Sequence, residues 1–338
     1  MIRQELASVA KSLVAPGKGI LAADESLPTI EKRFVKINLA STEENRRAYR
    51  EVLITIEGME DYISGVILFD ETIRQKTKDG IPFPDVLSAK SVIPGIKVDQ
   101  GTEELLEFPG EKITKGLATL AERLKEYKDL GVLFTKWRAV YTIGPKIPSG
   151  GIIERNAEAL AQYALISQQA GLVPIVEPEV LMDGAHSIQK CEEVTTKVLT
   201  AVFKKLQEKG VDLSGMLLKP NMVLPGKDSG QKATPLEVAE ATIRTLRNTV
   251  PTAVPGIVFL SGGQTPEQAT GYLNEMNRVG GLPWQLSFSF GRALQDPVLK
   301  TWNGRPGNVV DAQKAFLKRA RLNSFARFGE YNLEMENG

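Results

Sequence analysis

The chain has 338 residues, 42% apolar and 25% charged, the proportions of an ordinary globular protein with enough length to bury a substantial core. Its 42 basic and 41 acidic side chains leave a net charge of +1, which argues against nucleic-acid binding and against an electrostatic membrane-surface role. The one histidine, His186, cannot supply the two or three imidazoles of common catalytic zinc sites, and the one cysteine, Cys191, rules out an intrachain disulfide and suits a reducing compartment.

The chain opens on MIRQELASVAKSL, read as an N-terminal helix. No apolar core followed by a small-residue cleavage site is present there, so no secretory signal is expected. No apolar run approaches the ~18 residues of a membrane span. The expected location is the cytoplasm.

Eight short apolar runs follow: GILAAD, GVILFD, IPGIKVD, GVLFTKWRAV, LVPIVEPEV, GMLLKPNMV, GIVFLSGG and WQLSFSFGRAL, closing near Asp24, Asp70, Lys97, Lys136, Glu177, Lys219, Ser261 and Gly291. Continuous apolar runs, rather than apolar/polar alternation, are what strands buried on both faces look like. Amphipathic stretches lie between them: EENRRAYREVLITIEGM, ITKGLATLAERLKEYKDL and ERNAEALAQYALISQQAG. Ser41-Thr42-Glu43-Glu44 has capping-box spacing before the first, and Gly171 ends the last as a helix C-terminal glycine. Eight strands alternating with helices, without a GxGxxG fingerprint at the first turn, predict one (β/α)8 barrel over residues 1–338 rather than a doubly wound sheet. Residues 311–338 are expected to add a C-terminal helix and a short tail.

Polar residues collect at one end of these strands: Asp24, Lys97, Lys136, Arg138, Glu177, Glu179, Lys219, Ser261 and Arg292. Barrel active sites are built at the C-terminal ends of strands, and charges there are costly unless paired or bound to ligand. Lys136 and Arg138 share a strand face by parity, as do Glu177 and Glu179 on either side of Pro178. Lys136 on the fourth strand and Lys219 on the sixth fall on alternate strands, which contribute to one interior layer. Burial and a neighbouring ammonium would leave one of them partly neutral and nucleophilic, as attack on a ketone requires. A purely structural charge network of Lys136, Glu177 and Lys219 is the competing reading. Ser261-Gly262-Gly263-Gln264 and Phe290-Gly291-Arg292 follow the last two strands, where barrels often bind phosphate. There is no GxSxG, Cys191 reads as a structural thiol, and His186 reads as a loop or cap residue.

The stretches PGKGILAADES, TEENRRAYR, GVILFDET, PGIKVDQG, TKWRAVY, PIVEPEV, LLKPNMVLPG, FLSGGQ and FSFGRALQ resemble the class I (Schiff-base) fructose-bisphosphate aldolase family in order and spacing over nearly the whole chain. The resemblance implies a metal-independent, cofactor-free lyase that reversibly cleaves fructose 1,6-bisphosphate to dihydroxyacetone phosphate and glyceraldehyde 3-phosphate. That activity serves glycolysis and gluconeogenesis or the Calvin cycle. It further implies that Lys219 forms the iminium, Lys136 stabilises the carbinolamine hydroxyl, and Glu177 moves the proton of its dehydration. Glu179 would order the lysines, and Asp24 would take the C4-hydroxyl proton. Ser261, Gly262, Gly291 and Arg292 resemble the grip on the C1 phosphate. Ser26, Lys97 and Arg138, with Arg33 nearby and the Thr29 hydroxyl, resemble the C6-phosphate end. The family implies a homotetramer acting on a small phosphorylated sugar, with neither nucleic acid nor membrane as partner. Sedoheptulose 1,7-bisphosphate as preferred substrate, or a non-catalytic scaffold on this fold, are the alternatives.

Three features depart from the family's pattern: Leu27-Pro28-Thr29 after AADES, where Pro28 removes a backbone donor; Phe290 where tyrosine is common; and the ending at Asn337-Gly338 without a terminal tyrosine. Residues 332–338, beyond Tyr331, carry little apolar surface and are expected to be mobile and dispensable.

Overall fold

A computed structural model describes residues 2–337. Helix α1 (Ile2–Leu13) leads into strand β1 (Gly19–Ala23), helices α2 (Leu27–Val35) and α3 (Glu43–Ile54), and strand β2 (Ile63–Leu68). Short helices α4 (Asp70–Ile73) and α5 (Phe83–Ala89) precede β3 (Ile93–Lys97), the hairpin β4 (Thr102–Leu105) and β5 (Phe108–Thr114), and α6 (Leu120–Asp129). Then strand and helix alternate: β6 (Phe134–Tyr141), α7 (Gly150–Gln169), β7 (Val173–Val180), α8 (Ile188–Glu208), β8 (Leu217–Leu218) and α9 (Pro235–Thr249). The chain finishes with β9 (Gly256–Phe259), α10 (Pro266–Val279), β10 (Gln285–Phe290), α11 (Arg292–Trp302) and α12 (Val309–Phe328).

Eight of these strands close a parallel barrel in the order β1-β10-β9-β8-β7-β6-β3-β2, which is chain order once the β4–β5 hairpin is set aside. This is the (β/α)8 architecture expected from the eight apolar runs. The runs are continuous because alternate residues serve two cores. Leu21, Val66, Trp137, Val176 and Phe259 pack outward against the helices, whereas Ile20, Ile67, Phe134, Ile175, Leu217 and Val258 turn inward. Leu6, Ala10, Leu13 and Val14 join that inner group, so α1 plugs the N-terminal end of the barrel.

Several local expectations change. The stretch 113–130, read as one amphipathic helix, is helical only from Leu120; Ile113 and Thr114 belong to β5, and Gly116 at φ +116° turns the chain between the two. The sixth strand shrinks to Leu217–Leu218, because Pro220 has no N–H to donate, although Lys219 N still donates to Val176 O at 2.8 Å. Thr42, not Ser41, caps α3, accepting from Asn45 N at 3.2 Å. Gly171, at φ +76°, follows α7 as expected.

The tail corrects an expectation outright. Leu333–Asn337 form a short 3-10 turn folded back on the outer helices, and Gly338 lies outside the described residues. Buried Arg319 of α12 holds Glu336 at 2.6 Å, and the buried Tyr331 donates its hydroxyl to the same carboxylate at 2.8 Å. Met335 packs on the core. The segment expected to be mobile for want of apolar surface is instead held by charge, through Glu336 on a guanidinium.

Candidate active site

The C-terminal ends of the barrel strands open into a cavity of about 970 Å3. Asp24, Ser26, Thr29, Arg33, Lys97, Lys136, Arg138, Glu177, Glu179, Lys219, Ser261, Gly262, Gly291 and Arg292 all line it. Every site residue expected from the sequence therefore meets in one space.

At its floor, Lys136, Glu177 and Lys219 are each no more than 4% exposed. Lys136 Nζ stands 2.7 Å from Asp24 Oδ2, 3.1 Å from Glu177 Oε2 and 4.0 Å from Asp99 Oδ2. Lys219 Nζ stands 3.3 Å from the other Glu177 oxygen. The strand parity that suggested two facing ammonium groups is thus correct in direction, but a carboxylate sits between them. Burial by itself would lower the Lys136 pKa; Asp24, Glu177 and Asp99 outweigh it and hold this lysine raised, firmly an ammonium. The same pairing reads in reverse at Asp24. Burial would raise its pKa, yet Lys136, Lys219 and Lys97 keep it well below the usual carboxylate range.

Glu179 pairs with Arg138 on the neighbouring strand, across the cavity wall from the loop after β9. A Cβ on Gly262 would stand 2.9 Å from Glu179 Oε1, so glycine here lets the loop backbone approach without pushing that carboxylate off Arg138. Gly263 turns the loop at φ +78°. Ser261 Oγ accepts from Ala293 N at 3.5 Å, joining this loop to the first turn of α11, where Gly291 is the N-cap and Arg292 is solvent-exposed. Backbone N–H groups of a helix start, a hydroxyl and a guanidinium together suit an anion.

After β1, the strand beside β10, Ser26 and Thr29 share a hydroxyl–hydroxyl contact at 3.1 Å at the start of α2; across the barrel from β9, Lys97 at the end of β3 is paired with Asp99. Arg33, on the same helix as Thr29, also reaches the Gly291 loop: its Nη2 lies 3.8 Å from where a Cβ of Gly291 would stand. Among the described residues, no three His, Cys, Asp or Glu side chains converge as a metal-binding group.

Sequence reasoning missed Asp99 and Glu25. Asp99 ends the third apolar run two residues after Lys97, and parity alone was enough to find it. Glu25 gave no such signal, because its partners lie on three separate helices. His186, before the N-cap of α8, is buried outside the cavity, and Cys191 is buried on α8, so neither enters the site.

Comparison with known proteins agrees with this geometry. The family model described as fructose-bisphosphate aldolase class-I matches residues 5–338. The chain is 54% identical to a probable class 1 fructose-bisphosphate aldolase of Xanthomonas axonopodis pv. citri, covering 97% of this chain and 98% of that one. It is also 54% identical to cytosolic fructose-bisphosphate aldolase 4 of Arabidopsis thaliana, over 99% of this chain and 85% of the relative. A crystal structure of fructose-bisphosphate aldolase from Plasmodium falciparum, in complex with TRAP and a small-molecule inhibitor, superposes with a TM-score of 0.97 at 52% identity, covering 98% and 96% of the two chains. With a family match over nearly the whole chain and relatives above half identity, the chain belongs to the class I fructose-bisphosphate aldolase family.

Proposed function

We propose that this aldolase cleaves fructose 1,6-bisphosphate reversibly through an iminium on Lys219, using side chains alone. The carrying observation is the Glu177 carboxylate set between two buried lysines, 3.3 Å from Lys219 Nζ and 3.1 Å from Lys136 Nζ. Lys219 adds to the C2 ketone. Two protons pass from the Lys219 nitrogen to the C2 oxygen: one turns the alkoxide into the carbinolamine hydroxyl, and the other is taken up by Glu177 and returned to that hydroxyl, which leaves as water as the iminium forms. The Lys136 ammonium stabilises negative charge at that oxygen during both steps. Asp24 takes the proton of the C4 hydroxyl as the C3–C4 bond breaks, its bond to Lys136 loosening as the hydroxyl arrives. The bonding electrons pass into the iminium, glyceraldehyde 3-phosphate leaves, and the enamine is protonated at C3 and hydrolysed to dihydroxyacetone phosphate.

Ser261, Gly262, Gly291 and Arg292 hold the C1 phosphate in this reading, with Arg33 beside them. Ser26, Thr29, Lys97 and Arg138 face the distal phosphate, and Glu179 orders Arg138 and the neighbouring lysines. A structural charge network is a poor account of the same residues, because a buried pair is at best a weak source of stability. A homotetramer in the cytoplasm is the assembly and location proposed, the latter supported by a cytosolic relative.

The test is turnover of fructose 1,6-bisphosphate by the purified protein, before and after exhaustive chelation, beside sedoheptulose 1,7-bisphosphate. Cleavage of the fructose bisphosphate that survives chelation is expected. Loss on chelation with recovery on added zinc, or preference for the seven-carbon substrate, contradicts the proposal.

A further inference from the structure

We infer that Glu25 is a positioning residue for the phosphate end of the cavity, holding the Arg33 guanidinium beside Gly291 and anchoring the first turn of α11. This rests on the reading of the Gly291–Arg292 loop as a phosphate site.

Glu25 follows Asp24 at the end of β1 and is buried. Its Oε1 lies 2.6 Å from Arg33 Nη1 and accepts from Gln295 Nε2 at 2.8 Å; its Oε2 lies 2.6 Å from Arg50 Nη2. Those three partners sit on α2, α11 and α3, so one carboxylate ties three helices to the strand that carries Asp24. Gln295 is one turn into α11, whose start bears Gly291 and Arg292. Its amide also donates to Ala22 O at 2.6 Å and accepts from the Tyr49 hydroxyl at 3.1 Å, so its orientation is fully determined.

Two guanidinium groups on one carboxylate leave a local excess of one positive charge. Arg50 is 2% exposed, whereas Arg33 lines the cavity, so the excess is presented toward the Gly291 loop. Asp296 on α11 and Asp24 attract Arg33 at longer range and offset part of that excess. An incoming phosphate completes this balance, and Glu25 sets where the cation meets it. Neutralising Glu25 as an amide puts an NH2 group against either a guanidinium or the Gln295 amide, all of them donors, so the three-way tie cannot re-form.

The experiment compares borohydride trapping of two ketones, dihydroxyacetone phosphate and unphosphorylated dihydroxyacetone, in wild type and Glu25→Gln, with folding checked by thermal melting. The half-saturating dihydroxyacetone phosphate concentration is expected to rise by about tenfold to a hundredfold, the range for a lost charged hydrogen bond, while trapping of dihydroxyacetone stays unchanged. Equal loss on both ketones, or no loss on either, overturns the inference. If Glu25→Gln fails to fold, Gln295→Leu, which removes the α11 tie without stranding a charge, is expected to show the same selective loss at smaller size; equal or absent loss overturns it likewise. Wild type that traps neither ketone defeats the Schiff-base reading instead. Inorganic phosphate titrated calorimetrically then decides for Glu25, with weaker binding in the variant supporting it and equal binding overturning it.

Discussion

The two ends of the barrel are built by the same strands with opposite chemistry. At the N-terminal end, Ile20, Phe134, Val173 and Leu217 turn inward onto Leu6 and Leu13 of α1 and the adjoining Val14, an apolar cluster beside which the buried hydroxyls of Ser64 and Ser287 are satisfied by backbone carbonyls. Two to six residues further along, the inward positions become Lys136 and Arg138 on β6, Glu177 and Glu179 on β7, and Lys219 after β8. Alternation continues unbroken from one end to the other, so nothing in the strand geometry separates the halves. What changes is how burial is balanced: by contact area at one end and by charge pairing at the other. Stability and activity should therefore separate along a single strand.

Glu177→Ala tests the charged end and carries the largest expected effect. It should lower kcat by about 10²–10⁴-fold, the usual loss for a general acid or base, and slow trapping of dihydroxyacetone phosphate in parallel. Trapping at the wild-type rate refutes the role given to Glu177. Phe134→Ala tests the apolar end of the neighbouring strand. It should cost about 3–5 kcal/mol of stability by denaturant titration, typical of an emptied core aromatic, while kcat of the folded protein stays within a few-fold. A kcat loss as large as that of Glu177→Ala would mean the ends are not separable.

How much of this division the sequence disclosed follows from the range of the interactions. Strand parity put Lys136 with Arg138 and Glu177 with Glu179, because period two is a local property. The resemblance assigned the phosphate loops. The end of the β4–β5 hairpin was hidden because Ile113 and Leu117, at helical spacing, belong to a strand and to the turn after it. The Glu25 network was hidden because Gln295 lies 270 residues away in sequence. The tail was misjudged because residues 332–338 were weighed by their scant apolar surface, whereas Glu336 finds a charged partner, Arg319, on the helix before it.

Smaller effects sharpen the picture at the cavity rim. Arg292→Ala should weaken fructose 1,6-bisphosphate by about 1.5–3 kcal/mol and weaken fructose 1-phosphate comparably, since both ligands place a phosphate at the Gly291 loop. Unchanged Kd for both would put Arg292 outside the site. The smallest effect concerns His186, buried outside the cavity. Burial lowers its pKa below the ordinary 6.5. Stability tied to its neutral form is thus complete above pH 6.5 and is lost as pH falls toward the folded value. It is the one histidine in the chain, and the depressed Asp24 titrates far lower, so between about pH 6.5 and 5 the slope belongs to His186. Unfolding free energy from denaturant titration should decline over that interval, by no more than about 1.4 kcal/mol per pH unit, and His186→Asn should flatten it. An unchanged slope in the variant assigns the decline elsewhere.

The central claim is that the charged end works through one covalent lysine. Borohydride reduction in the presence of dihydroxyacetone phosphate, followed by peptide mass analysis, tests it most directly. The account predicts inactivation with the reduced triose phosphate on Lys219 and none on Lys136, which Asp24, Glu177 and Asp99 hold as an ammonium. Label on Lys136 or another lysine, or full activity after reduction, would contradict it.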